Sequence, residues 1–235
     1  MKIDIFVIDF DSTFVSVESL EMIFKTALFK NPKRKEVLKK MNDIINLSMK
    51  SKVDFKHNFK MKMDLIEDNI LKEEHLIKVG KRLESKVSPG IVKIIDFARR
   101  KNKKIIVLSN SFKLPMKEVM NKYGLEIYFA NKHITNDKGY VIDYDETNPM
   151  ANNTGKENII KFLKNVKLIT PNEKIMMIGD GMSDYQVYKD GFADYFMNFA
   201  INKNRRLKKY KKDGEDNFII VRTIEDIDNF LKIVE

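Results

Sequence analysis

The chain of 235 residues is 43% hydrophobic, which is enough to bury one core, or a core domain that carries a small insertion. It contains no cysteine, so disulfides, thiolate metal ligands and cysteine nucleophiles are excluded. No apolar run approaches the about 20 residues that a membrane span requires, and the first apolar run is too short and too acidic for a secretory signal. We therefore expect a soluble, cytoplasmic protein with no membrane partner.

The formal net charge of +10 raises the alternative of a nucleic-acid-binding protein, and residues 203–212 (KNRRLKKYKK) form a basic run. Lysine is spread along the whole chain, however, and aromatic residues are not interleaved with it in a repeating way. We interpret the charge as a solvated lysine-rich surface with a basic loop, and we expect no nucleic-acid partner. A positive potential would also attract a phosphorylated anion.

The first predicted element is a strand at residues 3–10, where a near-continuous apolar run is typical of a central parallel strand buried on both faces. In the segments that follow, apolar residues recur at helical spacing. The predicted helices span residues 14–28, 35–49, 55–67 and 73–87. We interpret residues 15–87 as a helical cap inserted after the first strand of a core domain formed by residues 1–14 and 88–235.

From residue 88 onward the pattern changes to strands and helices in alternation. Ser88 suits an N-cap and Pro89 suits the first helical position. Helices are predicted at residues 91–101, 115–123, 155–164 and 224–234, and strands at 104–108, 126–130, 174–178 and 218–221. Residues 136–139 (NDKG) predict a β-hairpin turn. This alternation predicts an α/β fold with a parallel sheet in a three-layer arrangement.

The sequence DFDST at residues 9–13 places two carboxylates and a hydroxyl at the end of the first strand. Asp9 could attack phosphorus, and Asp11 could carry a proton to the leaving oxygen and later accept one from water. Thr13 would bind the phosphoryl group of the substrate through its hydroxyl. The alternative is an acidic strand-to-helix turn with capping residues, which is a common local structure.

A second acidic motif, GDGMSD at residues 179–184, follows another apolar run. Magnesium prefers oxygen ligands and retains several waters, so Asp9, Asp180 and the backbone carbonyl of Asp11 form a credible ligand set, with Asp184 completing or orienting it. The alternative is an Asp-Gly turn followed by an N-cap aspartate.

Two further residues stand at the ends of predicted elements. Ser109 ends a strand, where its hydroxyl and the amides that follow could cradle a phosphoryl oxygen. Lys156 begins a helix and could neutralise the charge of the phosphoryl group and of the nucleophile. Alone, a strand-terminal serine is usually structural and a lysine at a helix start is usually solvated. The order of all four motifs favours the functional interpretation.

This ordered set of motifs resembles the haloacid dehalogenase superfamily over essentially the whole chain. The helical insertion after the first motif resembles the C1-capped branch, and within it the phosphoserine phosphatase family. The segments YFAN at 128–131, DETNP at 145–149 and MIGDGMSD at 177–184 are similar to that family. The resemblance implies a Rossmann-like core with a four-helix C1 cap, and a magnesium-dependent phosphatase that forms an aspartyl phosphate.

The resemblance also implies residues that bind the substrate. Glu18 stands nine residues after Asp9, where the family has a glutamate that faces the ammonium group of its substrate. Phe55 matches an aromatic residue of the family's cap, and Lys62 stands where an arginine is expected. Asn110 and Ser111 follow Ser109 where the family has two glycines, so they add bulk beside the substrate. A lysine at 62 lacks the planar fork that grips a carboxylate.

The sequence therefore predicts hydrolysis of a small phosphomonoester, with O-phosphoserine as the first candidate and Mg²⁺ as the cofactor. The alternatives are another small metabolite, such as a sugar phosphate, a choline-like phosphate or a methylthio-pentenyl phosphate, and a non-catalytic phosphate-binding module. The expected partner is a small phosphorylated metabolite, and the chain is expected to be a monomer or a homodimer.

Overall fold

The computed structural model describes residues 1–50, 55–65, 70–202 and 217–234, and side chains for the same residues except 45–50 and 55. Six parallel strands form its main sheet, in the order β3-β2-β1-β6-β7-β8, and β4 and β5 form a separate antiparallel pair. The strands are β1 Ile5–Asp9, β2 Lys104–Phe112, β3 Tyr128–Asn131, β4 His133–Thr135, β5 Val141–Tyr144, β6 Ile175–Gly179, β7 Tyr195–Phe199 and β8 Phe218–Val221.

Nine α-helices accompany these strands in the described chain. They are α1 Ser19–Ala27, α2 Arg34–Lys50, α3 Phe55–Met63, α4 Glu73–Leu83, α5 Pro89–Arg100, α6 Met116–Lys122, α7 Gly155–Asn165, α8 Met182–Lys189 and α9 Ile224–Ile233. Each predicted helix and strand is present, with bounds shifted by a few residues. Within the described residues, none of the helices is both long enough and apolar enough to cross a membrane.

The side chains of β1 alternate between two hydrophobic clusters, which identifies three layers. Phe6 and Ile8 pack in the cluster that contains the buried faces of α5, α6 and α9. Ile5 and Val7 pack in the other cluster, together with the apolar residues of α7. All five residues of β1 are buried, as expected for a central strand covered on both faces. The predicted α/β, Rossmann-like architecture is thus confirmed.

The position of β1 determines where a ligand can bind. It pairs with β2 on one side and with β6 on the other, so the connections diverge at its carboxyl end. In open parallel sheets this divergence leaves a crevice beyond the strand ends. Asp9 is the last residue of β1 and therefore faces that crevice.

Helices α1 to α4 lie between two chain segments that run side by side. Val15 and Val87 form an antiparallel bridge. The amide of Ser16 donates to the carbonyl of Lys86 at 2.8 Å, and the amide of Ser88 donates to the carbonyl of Phe14 at 2.9 Å. We call residues 14–16 and 86–88 the paired stems. Because Val15 belongs to a stem, α1 begins at Ser19 rather than near residue 14.

Two local features differ in detail from the sequence prediction, and a third agrees with it. Strand β2 continues to Phe112, because it pairs again with β3 after an irregularity beyond Leu108. Ser88 precedes α5 as predicted, but its buried hydroxyl makes no capping bond among the described residues. The hairpin β4–β5 is confirmed, and Asn136 stabilises its turn by accepting from the amides of Lys138 and Tyr140. The basic run at 203–212 lies outside the described residues.

Candidate active site

The predicted motifs meet at the carboxyl edge of the sheet. Asp9 ends β1, Ser109 lies in the adjacent β2, and Asp180 directly follows β6 on the other side of β1. Lys156, the second residue of α7, reaches the same point from the layer beside the sheet. Since three neighbouring parallel strands deliver these side chains to one edge, residues far apart in sequence share one cavity.

Lys156 connects two of the carboxylates. Its ammonium group donates to both Asp9 and Asp184, and its side chain is only 3% exposed. Burial lowers the pKa of Lys156, but the charges of Asp184 and Asp9 outweigh it and raise that pKa above its ordinary value. The lysine is therefore a fixed positive charge beside the carboxylate of Asp9.

Three carboxylates form a group suited to a cation. Oxygen atoms of Asp9, Asp180 and Asp184 lie within 4.8 Å of one another. Burial, followed by the charge of Asp184, raises the pKa of Asp9 well above its ordinary value, and Lys156 offsets this only in part. Three acidic groups facing one lysine leave an excess of negative charge, which a divalent ion would compensate. An all-oxygen set of this kind fits Mg²⁺.

The approach of Asp184 depends on a residue that has no side chain. A Cβ atom built on Gly179 would lie 2.2 Å from Cγ of Asp184, so only glycine permits this packing. Asp184 is 1% exposed and accepts from the amide of Gly181 at 3.0 Å. The glycines of the GDG sequence thus bring the second acidic motif against β1.

Asp11 lies in a tight turn and is held from two directions. In the turn Phe10–Phe14 the amide of Val15 donates to the carbonyl of Phe10, and Ser12 adopts a left-handed φ of 56°. One carboxylate oxygen of Asp11 accepts from the amide of Ser19 at 2.6 Å, and the other accepts from the hydroxyl of Ser109 at 2.9 Å. Burial raises the pKa of Asp11, although the hydrogen bonds from Ser19 and Ser109 oppose that shift.

A cavity of about 630 Å³ extends from these residues to helices α1, α2 and α3. Among the predicted site residues, those that line it are Asp9, Asp11, Glu18, Lys62, Asn110, Lys156, Asp180 and Asp184. Glu18 also accepts from the hydroxyl of Ser12 at 2.6 Å. Burial lowers the pKa of Lys62, and the charges of Glu18 and Asp11 oppose this effect. The cavity therefore has an anionic, lysine-bridged end at the edge of the sheet and a mixed-charge end near α1 and α3.

Three predicted residues are placed differently. Ser109 and Thr13 are fully buried, and neither belongs to the described lining of the cavity. The hydroxyl of Thr13 has no hydrogen-bond partner among the described residues. The side chain of Phe55 lies outside the described residues. The carboxylate of Asp11 is engaged by Ser19 and Ser109, so the predicted contribution of Asp11 to a metal site would come through its backbone carbonyl.

The sequence prediction missed several lining residues. The additional ones are Leu20, Glu21, Met41, Asn42, Asn58 and Phe59 from helices α1 to α3, and Gly181 and Ser183 near the start of α8. Ser111, which was expected beside the substrate, also lines the cavity. Asn58 stands four residues before Lys62 and so shares its helix face, which is a signal that the sequence does contain. Asn42 carries no comparable signal, because its position depends on how α2 docks.

Comparison with known proteins identifies the family of the chain. The haloacid dehalogenase-like hydrolase family matches residues 3–190, and the chain belongs to that family. It is 28% identical over 156 residues to the chloroplastic phosphoserine phosphatase of Arabidopsis thaliana, covering 65% of this chain but only 50% of that protein. It is 26% identical over 203 residues to phosphoserine phosphatase of Homo sapiens, covering 86% of this chain and 83% of that one.

A solved structure shows the same fold. The phosphoserine phosphohydrolase-like protein of Francisella tularensis superposes with a TM-score of 0.79 at 22% identity, covering 98% of this chain and 99% of that one. The family and the relatives together define the chain as a phosphomonoesterase of the phosphoserine phosphatase-like type.

Proposed function

We propose that this phosphomonoesterase hydrolyses O-phosphoserine, or a small phosphomonoester with the same charged groups, through an aspartyl phosphate on Asp9. The observation that carries the proposal is a single cavity that joins the Asp9–Lys156 ion pair in the core to Glu18 and Lys62 at the cap. The names of the relatives support the substrate. The residue roles follow from the geometry and chemistry described above.

The core residues can carry out two displacement steps. A carboxylate oxygen of Asp9 attacks phosphorus, the ester P–O bond breaks, and Asp11 gives its proton to the departing alkoxide oxygen. Water then attacks the phosphoryl group, Asp11 takes a proton from that water, and the P–O bond to Asp9 breaks to release inorganic phosphate. Lys156 holds Asp9 in place and neutralises charge on the phosphoryl oxygens.

A divalent cation fits the acidic group described above. Asp9, Asp180 and Asp184 would hold Mg²⁺, with the backbone carbonyl of Asp11 as a further oxygen ligand. When bound, the ion supplies positive charge that stabilises the phosphoryl oxygens and offsets the repulsion among the three carboxylates. The protein's own residues still position the nucleophile and move the proton.

The cap end of the cavity provides the substrate preference. The carboxylate of Glu18 is exposed to the cavity and suits an ammonium group, while the ammonium of Lys62 suits a carboxylate. A choline-like phosphate would leave Lys62 without a partner. A neutral sugar phosphate is the second candidate, because Asn42, Asn58 and Asn110 place three amide groups on the cavity wall that can bind hydroxyls.

The test is phosphate release by the purified protein with Mg²⁺ over a panel of O-phospho-L-serine, phosphothreonine, phosphocholine, sugar phosphates and p-nitrophenyl phosphate. We expect the highest kcat/KM on O-phosphoserine and essentially complete loss of turnover in Asp9→Asn. Asp43→Asn makes the same change at an exposed position of α2 and should keep full activity.

Two results would overturn parts of the proposal. If the protein hydrolyses the aryl phosphate but not O-phosphoserine, the proposed reaction stands and the proposed substrate is wrong. If Asp9→Asn still releases phosphate, the assignment of Asp9 as the nucleophile is wrong. Absence of turnover on the whole panel would contradict the hydrolase proposal itself.

A further inference from the structure

Four residues form a closed ring of hydrogen bonds around the carboxylate of Asp11. The hydroxyl of Ser109 donates to one oxygen of Asp11 at 2.9 Å and accepts from the amide of Ser111 at 3.0 Å. The hydroxyl of Ser19 donates to the hydroxyl of Ser111 at 2.7 Å, and the amide of Ser19 donates to the other oxygen of Asp11 at 2.6 Å. We call this set the serine ring.

The three serines of the serine ring are buried, and the ring joins three parts of the fold. Ser19, Ser109 and Ser111 are 1%, 0% and 5% exposed, so the bonds among these serines are shielded from bulk water. Asp11 belongs to the turn after β1, Ser19 is the first residue of the cap helix α1, and Ser109 and Ser111 lie in β2. The hydroxyl pair of Ser19 and Ser111 is the link that ties the helix to the strand.

This link joins the two elements that carry the donors to Asp11. The amide of Ser19 belongs to α1, and the hydroxyl of Ser109 belongs to β2. If these elements separate, one oxygen of Asp11 loses its donor and the carboxylate is free to rotate. The hydroxyl of Ser19 also acts directly on Asp11, whereas the hydroxyl of Ser111 meets that of Ser19 and so can act on Asp11 only through position.

We propose that Ser19 and Ser111 are positioning residues that fix Asp11 in the orientation required for proton transfer to the leaving group. The inference rests on the proposed function, because it assigns Asp11 the proton that the departing oxygen receives. It predicts an effect that depends on the leaving group. An alkoxide such as that of serine needs the proton for the P–O bond to break, whereas p-nitrophenolate departs without one.

The experiment compares Ser19→Ala, Ser111→Ala and the double variant on the alkyl phosphate that the wild type hydrolyses fastest and on p-nitrophenyl phosphate. General acid catalysis contributes about 10²- to 10⁴-fold, and we expect loss of the link to remove about tenfold of it from kcat/KM for the alkyl phosphate. We expect less than about a twofold change in kcat/KM for the aryl phosphate, because its first step does not need the proton. KM for the alkyl phosphate should stay nearly constant while kcat falls.

Two further comparisons separate positioning from general destabilisation. Because both hydroxyls belong to one link, the double variant should lose no more than Ser19→Ala alone, whereas independent effects would multiply. Ser16→Ala makes the same change at an exposed residue close to Ser19 in sequence and should behave as wild type. If Ser19→Ala fails to fold, Ser111→Ala tests the same link.

The outcomes distinguish this inference from the function beneath it. Equal losses on both substrates, a rise in KM at constant kcat, multiplicative losses in the double variant, or no loss at all would each overturn the positioning role while the phosphatase stands. A wild type that releases phosphate from no member of the panel would overturn the proposed function, and this inference with it.

Discussion

Lys156 is the residue on which the charge balance of the site depends. It is buried and pairs with Asp9 and Asp184, so its removal would leave two buried carboxylates facing each other without compensation. Breaking a buried ion pair by removing one partner costs far more than losing an exposed pair, because the remaining charge stays desolvated. The same residue is therefore expected to support both stability and turnover.

We predict that Lys156→Met abolishes phosphatase turnover and lowers the free energy of unfolding by about 3 to 5 kcal/mol without divalent ions. The loss should shrink when Mg²⁺ is added, since a cation between the carboxylates takes over part of the compensation. Guanidinium titration in EDTA and in MgCl₂ measures both effects. Lys161→Met, an exposed change on the same helix, should shift stability by less than about 0.5 kcal/mol.

At the level of single residues, the sequence predicted the placement of the side chains at the strand ends better than that of the side chains from α1 to α3. Asp9 and Asp180 could be predicted because each follows an apolar strand, and parallel strands end at one edge. Ser19 could not be predicted as a neighbour of Ser111, since that contact exists only after α1 docks beside β2. Sequence periodicity shows which face of a helix is buried, but it does not show what that face meets.

Among the elements, α4 of the proposed cap packs closely against the backbone that precedes α6. A Cβ atom added to Gly80 would lie 2.9 Å from the carbonyl oxygen of Pro115, which directly precedes α6. Leu76 and Val79 of α4 are fully buried in the same cluster as Met116 of α6. Glycine, though unfavourable inside a helix, thus allows α4 to pack directly against the chain at residue 115.

We predict that Gly80→Ala destabilises the protein by roughly 1 to 2 kcal/mol, because the overpacking outweighs the better helix propensity of alanine. The displaced helix should also lower activity. Thermal unfolding and steady-state kinetics measure the two effects, with Lys81→Ala as an exposed neighbour for control. A variant more stable than wild type would show that α4 moves away from Pro115 at no cost.

Helix α9 begins with reciprocal capping. The hydroxyl of Thr223 accepts from the amide of Asp226 at 3.1 Å, and the carboxylate of Asp226 accepts from the amides of Arg222 at 2.7 Å and Thr223 at 3.0 Å. These hydrogen bonds hold the pKa of Asp226 below its ordinary value, and the bond from the amide of Arg222 has the largest effect. A lowered pKa in the folded state means that the stabilisation is present above the ordinary carboxyl pKa and is lost as the pH falls through the folded value.

We therefore predict that Asp226→Ala costs about 0.5 to 1 kcal/mol at pH 7, and that the difference from wild type narrows in acid. Urea denaturation at pH 7 and at a pH below 3.8, the ordinary value, provides the comparison. Glu225→Ala removes a charge from the same turn without removing a described hydrogen bond and should change stability less. A difference that does not depend on pH would assign the effect to packing.

The elements themselves were largely predictable, and their ends were not. Near-continuous apolar runs predicted β1 and β6, because both strands are buried on two faces. The predicted end of β2 at residue 108 is too early, because the polar sequence Ser109–Ser111 is not typical of a buried strand. Pairing with β3 at Phe112 keeps this segment extended. Tertiary pairing, rather than local preference, determines that boundary.

In the whole molecule, one hydrophobic cluster runs through both the proposed cap and the core. It contains Ile23, Phe59 and Leu83 from the helical insertion together with Ile94 and Phe112 from the core. Phe59 packs edge-on against Phe112, with ring centroids 5.4 Å apart. The two parts thus share buried surface in addition to the ligand cavity.

We predict a single cooperative unfolding transition for the protein, because neither part keeps its apolar surface covered without the other. Differential scanning calorimetry should give a calorimetric enthalpy equal to the van't Hoff enthalpy. Two separate transitions would show that the proposed cap unfolds independently of the core. Phe59→Ala, which removes part of the shared surface, should lower the transition temperature of the whole molecule.

The paired stems have a consequence for how this enzyme's pocket can change over evolution. Since residues 14–16 and 86–88 already lie together, the segment between them leaves the core and returns at one point. Closing such a loop costs little more when it is longer, about 0.6 kcal/mol for each doubling of length. The insertion can therefore be lengthened, shortened or replaced at small entropic cost, while the strand ends that carry the reaction keep their places.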